Sequence, residues 1–198
     1  MKNFNLDREI ARLILLQRIE LLSPFQKKIR KLFGRYFFTN FFSKYLIAPK
    51  EIGKKYFLEM EKEFNILANY IDFDKKNFLS IGSGMCGLEL IINSKFSENF
   101  FSIIKKNYIS KKIHYGWDKD NNEAYNNFKK LKFFLNLNGM KSVNYTLYDF
   151  DKKNLPIAKF DYVISLYSLD YHYDFNFYKE YFKKILTKNS ILIFDTIR

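Results

Sequence analysis

The stretch FLSIGSGMCGLELIIN, Phe78 to Asn93, decides the fold. Phe78 to Ile81 is a short apolar run of strand type, and Cys86 to Asn93 is an apolar segment long enough for a helix. Between them Gly82, Gly84 and Gly87 stand in G-x-G-x-x-G spacing. Glycines permit a tight turn and close backbone approach to a ligand, and the helix N-terminus offers N–H groups to an anionic or polar group. Such a fingerprint alone is weak evidence; a strand before it and a helix after it give it meaning. The plainer alternative is a glycine turn in an α/β domain that binds nothing.

Outward from this turn, short apolar runs alternate with longer helical patterns, the mark of βαβ units and a parallel sheet. The strands are expected at Phe78–Ile81, Asn99–Ile104, Val143–Tyr148, Tyr162–Leu166 and Ile191–Phe194, with helices at Cys86–Asn93, Asn122–Leu137 and Phe175–Leu186. Before the turn the pattern is helical: Ile10, Leu13, Ile14, Leu16 and Leu21–Leu22 recur at three- and four-residue spacing, and Pro24, Gly34, Pro49 and Gly53 divide the next stretch into short pieces. The organisation expected is therefore a helical extension over residues 1–76, acting as a substrate cover, and an α/β domain over 77–198.

The chain has 198 residues, 47% of them hydrophobic, enough for one packed core. Its single cysteine, Cys86, excludes an internal disulfide framework and fits a reducing compartment. The most apolar early stretch, Ile10 to Leu22, is broken by Arg12, Arg18 and Glu20, so neither a membrane span nor a signal peptide is expected and the cytoplasm is the expected location. The net charge of +13 has two readings, phosphate-binding basic clusters or the Lys-rich composition of an AT-rich genome. Much of it lies between Lys27 and Lys55, where Lys28, Arg30, Lys31, Arg35, Lys44, Lys50 and Lys54 are opposed only by Glu51. There Phe33, Phe37, Phe38, Phe41 and Phe42 are expected to pack inward beneath a solvated basic face, the alternative being an electropositive cover that attracts an anionic substrate.

Two cofactor classes use a turn of this kind, dinucleotides and S-adenosylmethionine. DKKNLP from Asp151 to Pro156, followed by FDYVIS from Phe160 to Ser165, resembles the class I methyltransferase pattern of an acid, three variable residues and Leu-Pro, then Phe-Asp and the fourth strand. The segments Tyr115–Met140, SLYSLDYHY from Ser165 to Tyr173, and LIFDTIR from Leu192 to Arg198 narrow this to a resemblance to a bacterial family of sugar O-methyltransferases, over roughly Asn77 to Arg198. That resemblance implies a Rossmann-like fold and S-adenosylmethionine as cofactor, bound by Gly82, Ser83, Gly84, Gly87, Asp151, Lys152 and Ser165. It also implies a small-molecule or glycan acceptor.

The resemblance further implies that Asp151 receives the adenine amino group and that the Lys152 backbone meets the ring. His172, beyond the fourth strand, is then placed to take the proton of a sugar hydroxyl as it attacks the methyl group. The alternative is a loop histidine among Tyr171 and Tyr173. Tyr167, Tyr171 and Tyr173 could line a sulfonium site or simply pack. His114 reads as a structural residue.

Departures from the pattern matter. Ser80 stands where an acid usually precedes the first glycine, and the ribose-binding acid at the end of the second strand falls on Lys105, which cannot accept hydroxyl protons. A rival register makes Ile113–Trp117 the second strand and Asp118 the ribose ligand. The sequence also ends at the fifth strand without the usual closing hairpin, as a truncated or a minimal version of the fold. No Asp-Pro-Pro-Tyr or Asn-Pro-Pro-Tyr comes after the fourth strand, against amino methylation of adenine in nucleic acid; Cys86 is misplaced for cytosine chemistry; and no metal-ligand spacing is present. RNA methylation, and a degenerate cofactor-fold partner protein, remain the alternatives.

Overall fold

The computed structural model describes residues 2–34, 39, 41–42, 44–46, 48–110, 124–152, 155–166, 168 and 175–195, without the side chain of residue 177. The strands are β1 (Asn77–Ile81), β2 (Phe100–Lys105), β3 (Tyr145–Asp149), β4 (Tyr162–Ser165) and β5 (Ile191–Phe194). Named helices among the described residues are α1 (Arg8–Gln17), α2 (Pro24–Phe33), α3 (Pro49–Leu67), α4 (Gly87–Lys95), α5 (Phe128–Leu137) and α6 (Asn176–Ile185). The strands form one parallel sheet in the order β3-β2-β1-β4-β5, a Rossmann-like α/β arrangement that reverses direction between β1 and β4.

Strand alternation sorts side chains between two faces. Leu79, Ile81, Ile104 and Val163 meet Tyr178, Phe182 and Ile185 of α6. Phe78, Phe101, Ile103 and Tyr162 face the other way, into a core shared with α4, α5 and the N-terminal helices. Stacked rings run through this face: Phe64 on Phe73, Phe73 on Phe78, and Phe78 on both Phe101 and Tyr162, with centroids 5.1 to 6.0 Å apart.

The N-terminal segment is fastened at three places. Asp7 caps α1 by accepting from the Ile10 N–H at 2.7 Å, and Lys130 of α5 pairs with Glu9 at 2.5 Å. Asn138 accepts from the Asn5 N–H at 2.8 Å and donates to the Asn5 carbonyl at 3.0 Å. Phe4 is fully buried against the rings of Tyr56, Phe57 and Phe134. Its carbonyl lies where a side chain on Gly53 of α3 would begin, so glycine there lets the chain pass.

Two sequence expectations are corrected. The helix expected from Asn122 begins at Phe128, because the Asn127 side chain accepts from the Lys130 N–H and caps it there. The residues just before are extended and pair antiparallel with 108–110, through Ser110 N–H to the Ala124 carbonyl and Asn126 N–H to the Tyr108 carbonyl. In the basic N-terminal segment, Phe33 and Phe41 are exposed rather than packed inward, while Phe42 is partly buried against the core. Phe37 and Phe38 lie outside the described residues, as do Ile113–Trp117, His114 and Asp118. β2 is the Lys105 register, lying between β1 and β3.

Candidate functional site

The turn after β1 is built on left-handed backbone. Gly82 has φ +67°, Gly84 φ +53° and Cys86 φ +57°. The Gly82 N–H donates to the Ile104 carbonyl at 3.0 Å, Gly84 to the Gly82 carbonyl at 2.7 Å and Cys86 to the Ser83 carbonyl at 2.8 Å. Left-handed φ is nearly free of cost for glycine but costs a cysteine about 1 kcal/mol or more, so the surroundings must hold Cys86 there. The turn sits at the carboxyl edge of the sheet, beside the β1–β4 reversal, where open α/β sheets bind ligands.

Parts of the chain itself approach the glycines closely. A Cβ on Gly82 would overlap the Ser168 hydroxyl, and one on Gly84 would come within 2.9 Å of the Gln17 side chain. On Gly87 it would lie 2.6 Å from Met60 and 2.7 Å from Tyr56, whose hydroxyl accepts the Gly87 N–H at 3.1 Å. Gly87 therefore serves the packing of α3 on α4. Gln17, at the end of α1, also donates to the Tyr125 carbonyl at 2.5 Å, so the first helix bridges the turn and the segment leading into α5.

Beneath the turn, buried Ser80, Cys86, Glu89 and Lys105 cluster with the half-buried Ser83. Ser80 and Ser83 lie beside the Glu89 carboxyl group, whose Oε2 is buried and has no hydrogen-bond partner. Burial pushes the Glu89 carboxyl up, and burial draws the Lys105 ammonium down. Lys105 Nζ turns inward to 3.9 Å from the Cys86 sulfur, which is itself 3.2 Å from the Ser83 hydroxyl. Burial raises the Cys86 thiol to about 12, so it stays protonated and inert at neutral pH.

Ser165, the last residue of β4, is buried and donates to the Ile81 carbonyl at 3.0 Å, tying the two strands beside the turn. Gly82, Ser83, Gly84 and Ser165 thus share one end of the β1–β4 pair. β3 closes at Asp149, which stands in register with Lys105. Asp151 comes next in a single 3-10 turn, about half exposed, with Oδ1 4.0 Å from the buried Lys106 ammonium, and Lys152 is exposed next to it. His172, with Asp170, Tyr167, Tyr171 and Tyr173, lies outside the described residues.

Glu89, Gln17 and Tyr56 were not apparent as site residues in the sequence. Glu89 carries one signal, an acid in the first turn of a helix. Gln17 and Tyr56 reach the turn only through tertiary packing. Among the described residues no group of His, Cys, Asp and Glu side chains could hold a metal ion, and no helix is long and apolar enough to cross a membrane.

No family model and no curated protein sequence matches the chain. Among solved structures 43 chains match. One is coclaurine N-methyltransferase bound to N-methylheliamine and SAH, 11% identical, with TM-score 0.49 over 96% of this chain and 63% of that one. Another is precorrin-6y C5,15-methyltransferase from Geobacter metallireducens GS-15, 13% identical, with TM-score 0.40 over 78% of this chain and 67% of that one. A third is the pyocyanin biosynthetic protein PhzM, 15% identical, with TM-score 0.38 over 82% of this chain and 45% of that one. The chain thus spans less than two thirds of the first of these.

Proposed function

We propose that the chain transfers a methyl group from S-adenosylmethionine to a hydroxyl of a sugar or glycan precursor. The observation that carries this reading is the left-handed glycine turn at the β1–β4 reversal, set above a buried carboxylate oxygen with no partner. The cofactor carries ribose hydroxyls that need a hydrogen-bond acceptor. Ser80 and Lys105 offer no carboxyl group at the strand ends, but Glu89 Oε2, buried without a partner, offers an acceptor from the helix, so the residues present fit the group. Gly82, Ser83 and Gly84 would hold it by backbone, and Asp151 and Lys152 would receive its adenine end. Ser165 acts through the strand it ties.

When bound, the cofactor supplies an electrophilic methyl group. The chain's part is to hold the acceptor oxygen in line in a site that excludes water. His172 takes the acceptor proton, and residues 1–76 cover the site carried by 77–198, with Gln17 already seated on Gly84. A cytoplasmic location accords with the single buried cysteine. A degenerate, non-catalytic partner protein is the second reading, favoured by the inward-turned Lys105.

Isothermal titration of the full chain with S-adenosylmethionine separates these readings. Saturable binding is expected, weakened at least tenfold by Gly84→Val with the circular dichroism unchanged. A folded protein that binds nothing overturns the proposal. With a labelled methyl donor, sugar acceptors should be modified and RNA should not, and His172→Ala should lower turnover by about 10² to 10⁴ with cofactor affinity intact.

A further inference from the structure

We propose that the N-terminal basic segment docks on an anionic lipid bilayer through the outward face of α2. This inference is independent of the function proposed above. α2 is a well-formed helix, opened by a capping box in which Ser23 accepts from the Gln26 N–H and Gln26 accepts from the Ser23 N–H. Its apolar side is only partly turned inward, through Ile29, which packs against the core. The buried side chain is Arg30, whose Nε donates to the Thr39 hydroxyl at 3.1 Å. Phe25, Leu32 and Phe33 are instead 71%, 79% and 60% exposed.

At 100° per residue Phe25, Leu32 and Phe33 fall on one side of the helix, with Ile29 between them partly buried against the core. Exposed Lys27, Lys28 and Lys31 occupy the opposite side and its flank. Phe41, Tyr45 and Leu46, later in the same segment, are exposed as well. Arg8 of α1 donates to the Lys44 carbonyl at 2.9 Å and so fastens this stretch to the body of the protein.

Exposed large apolar side chains on a helix that also carries exposed lysines are the form of a helix that lies in a membrane interface, its apolar side chains among the acyl chains and its ammonium groups among anionic headgroups. The charge balance selects this occupant. A second copy of the chain, itself of net charge +13, would be repelled and would offer Lys27, Lys28 and Lys31 no excess of negative charge. RNA would satisfy the lysines and leave Leu32, the most exposed of the three apolar residues, in water.

The test is co-sedimentation of the full chain with vesicles of phosphatidylcholine alone or mixed with phosphatidylglycerol. Binding is expected to the mixed vesicles only, and to fall steeply with salt. Each basic group near such a surface contributes roughly a fivefold gain in partition, so Lys27→Gln/Lys28→Gln/Lys31→Gln together should weaken binding on the order of 100-fold. Leu32→Asp/Phe33→Asp should abolish it without changing the circular dichroism, since both positions are exposed. Absence of binding to mixed vesicles, or equal binding by the Asp variant, overturns the proposal. So does a tight complex with single-stranded RNA that the Asp variant keeps, or a solution dimer that it loses.

Discussion

Burial makes Glu89 easier to hold protonated than ionised, so its folded value lies above the 4.5 of the unfolded chain. The stability it contributes is fully present below that value and is lost as pH rises through the folded one. Glu89→Gln has no such proton to lose, so the stability of wild type relative to the variant should fall as pH rises above 4.5. Urea unfolding of both proteins across that range measures the difference; a constant gap would mean that Glu89 titrates as it does in the unfolded chain. Individual residues were unevenly legible in the sequence. The glycines could be read because only they take left-handed backbone cheaply, and Gly82 and Gly84 do so. Glu89 could not be read as buried, because in the helix GLELIINSK nothing linear states that its face turns toward Ser80 and Lys105.

The five strands were legible to within about two residues, because each is an apolar run bounded by turn residues. Helix α5 was drawn too long at its start: Asn127 caps it, and the periodic pattern upstream belongs to extended chain. The facing of α2 was legible only in part: Ile29 packs against the core as an apolar stripe predicts, but Phe33 is exposed and Arg30 is buried. The docking of α1 rests on Asn138, whose amide closes two bonds to the Asn5 backbone and a third to the Phe134 carbonyl at 2.9 Å. Asn138→Ala leaves those backbone groups unpaired and should cost about 2 to 3 kcal/mol. For a chain of this size that lowers Tm by about 5 to 10 °C. Hydrogen exchange should quicken in α1 and stay unchanged in α6; uniform quickening would show that the tie is not local.

Among the described residues, one of the two core clusters spans the division expected near residue 76. Phe4, Ile10, Tyr56 and Met60 from before it lie in the same cluster as Phe78, Ile91 and Phe134 from after it. Residues 77–198 expressed alone would expose the stacked face of Phe78, Phe101 and Tyr162. That fragment should bind the dye ANS and lack near-ultraviolet dichroism while keeping helical signal; cooperative unfolding of the fragment would show instead that the sheet closes its own core. The sheet order also sets a timetable during synthesis. β1 lies at the centre, yet the hydroxyl that ties its end to β4 is supplied by a residue 84 positions later. At about 5 to 20 residues per second the ribosome leaves that flank of β1 open for roughly 4 to 17 s. Through that interval the Phe-rich helices made first have no finished sheet to dock on, so the nascent chain is a natural client for a chaperone that shields apolar segments until β4 arrives.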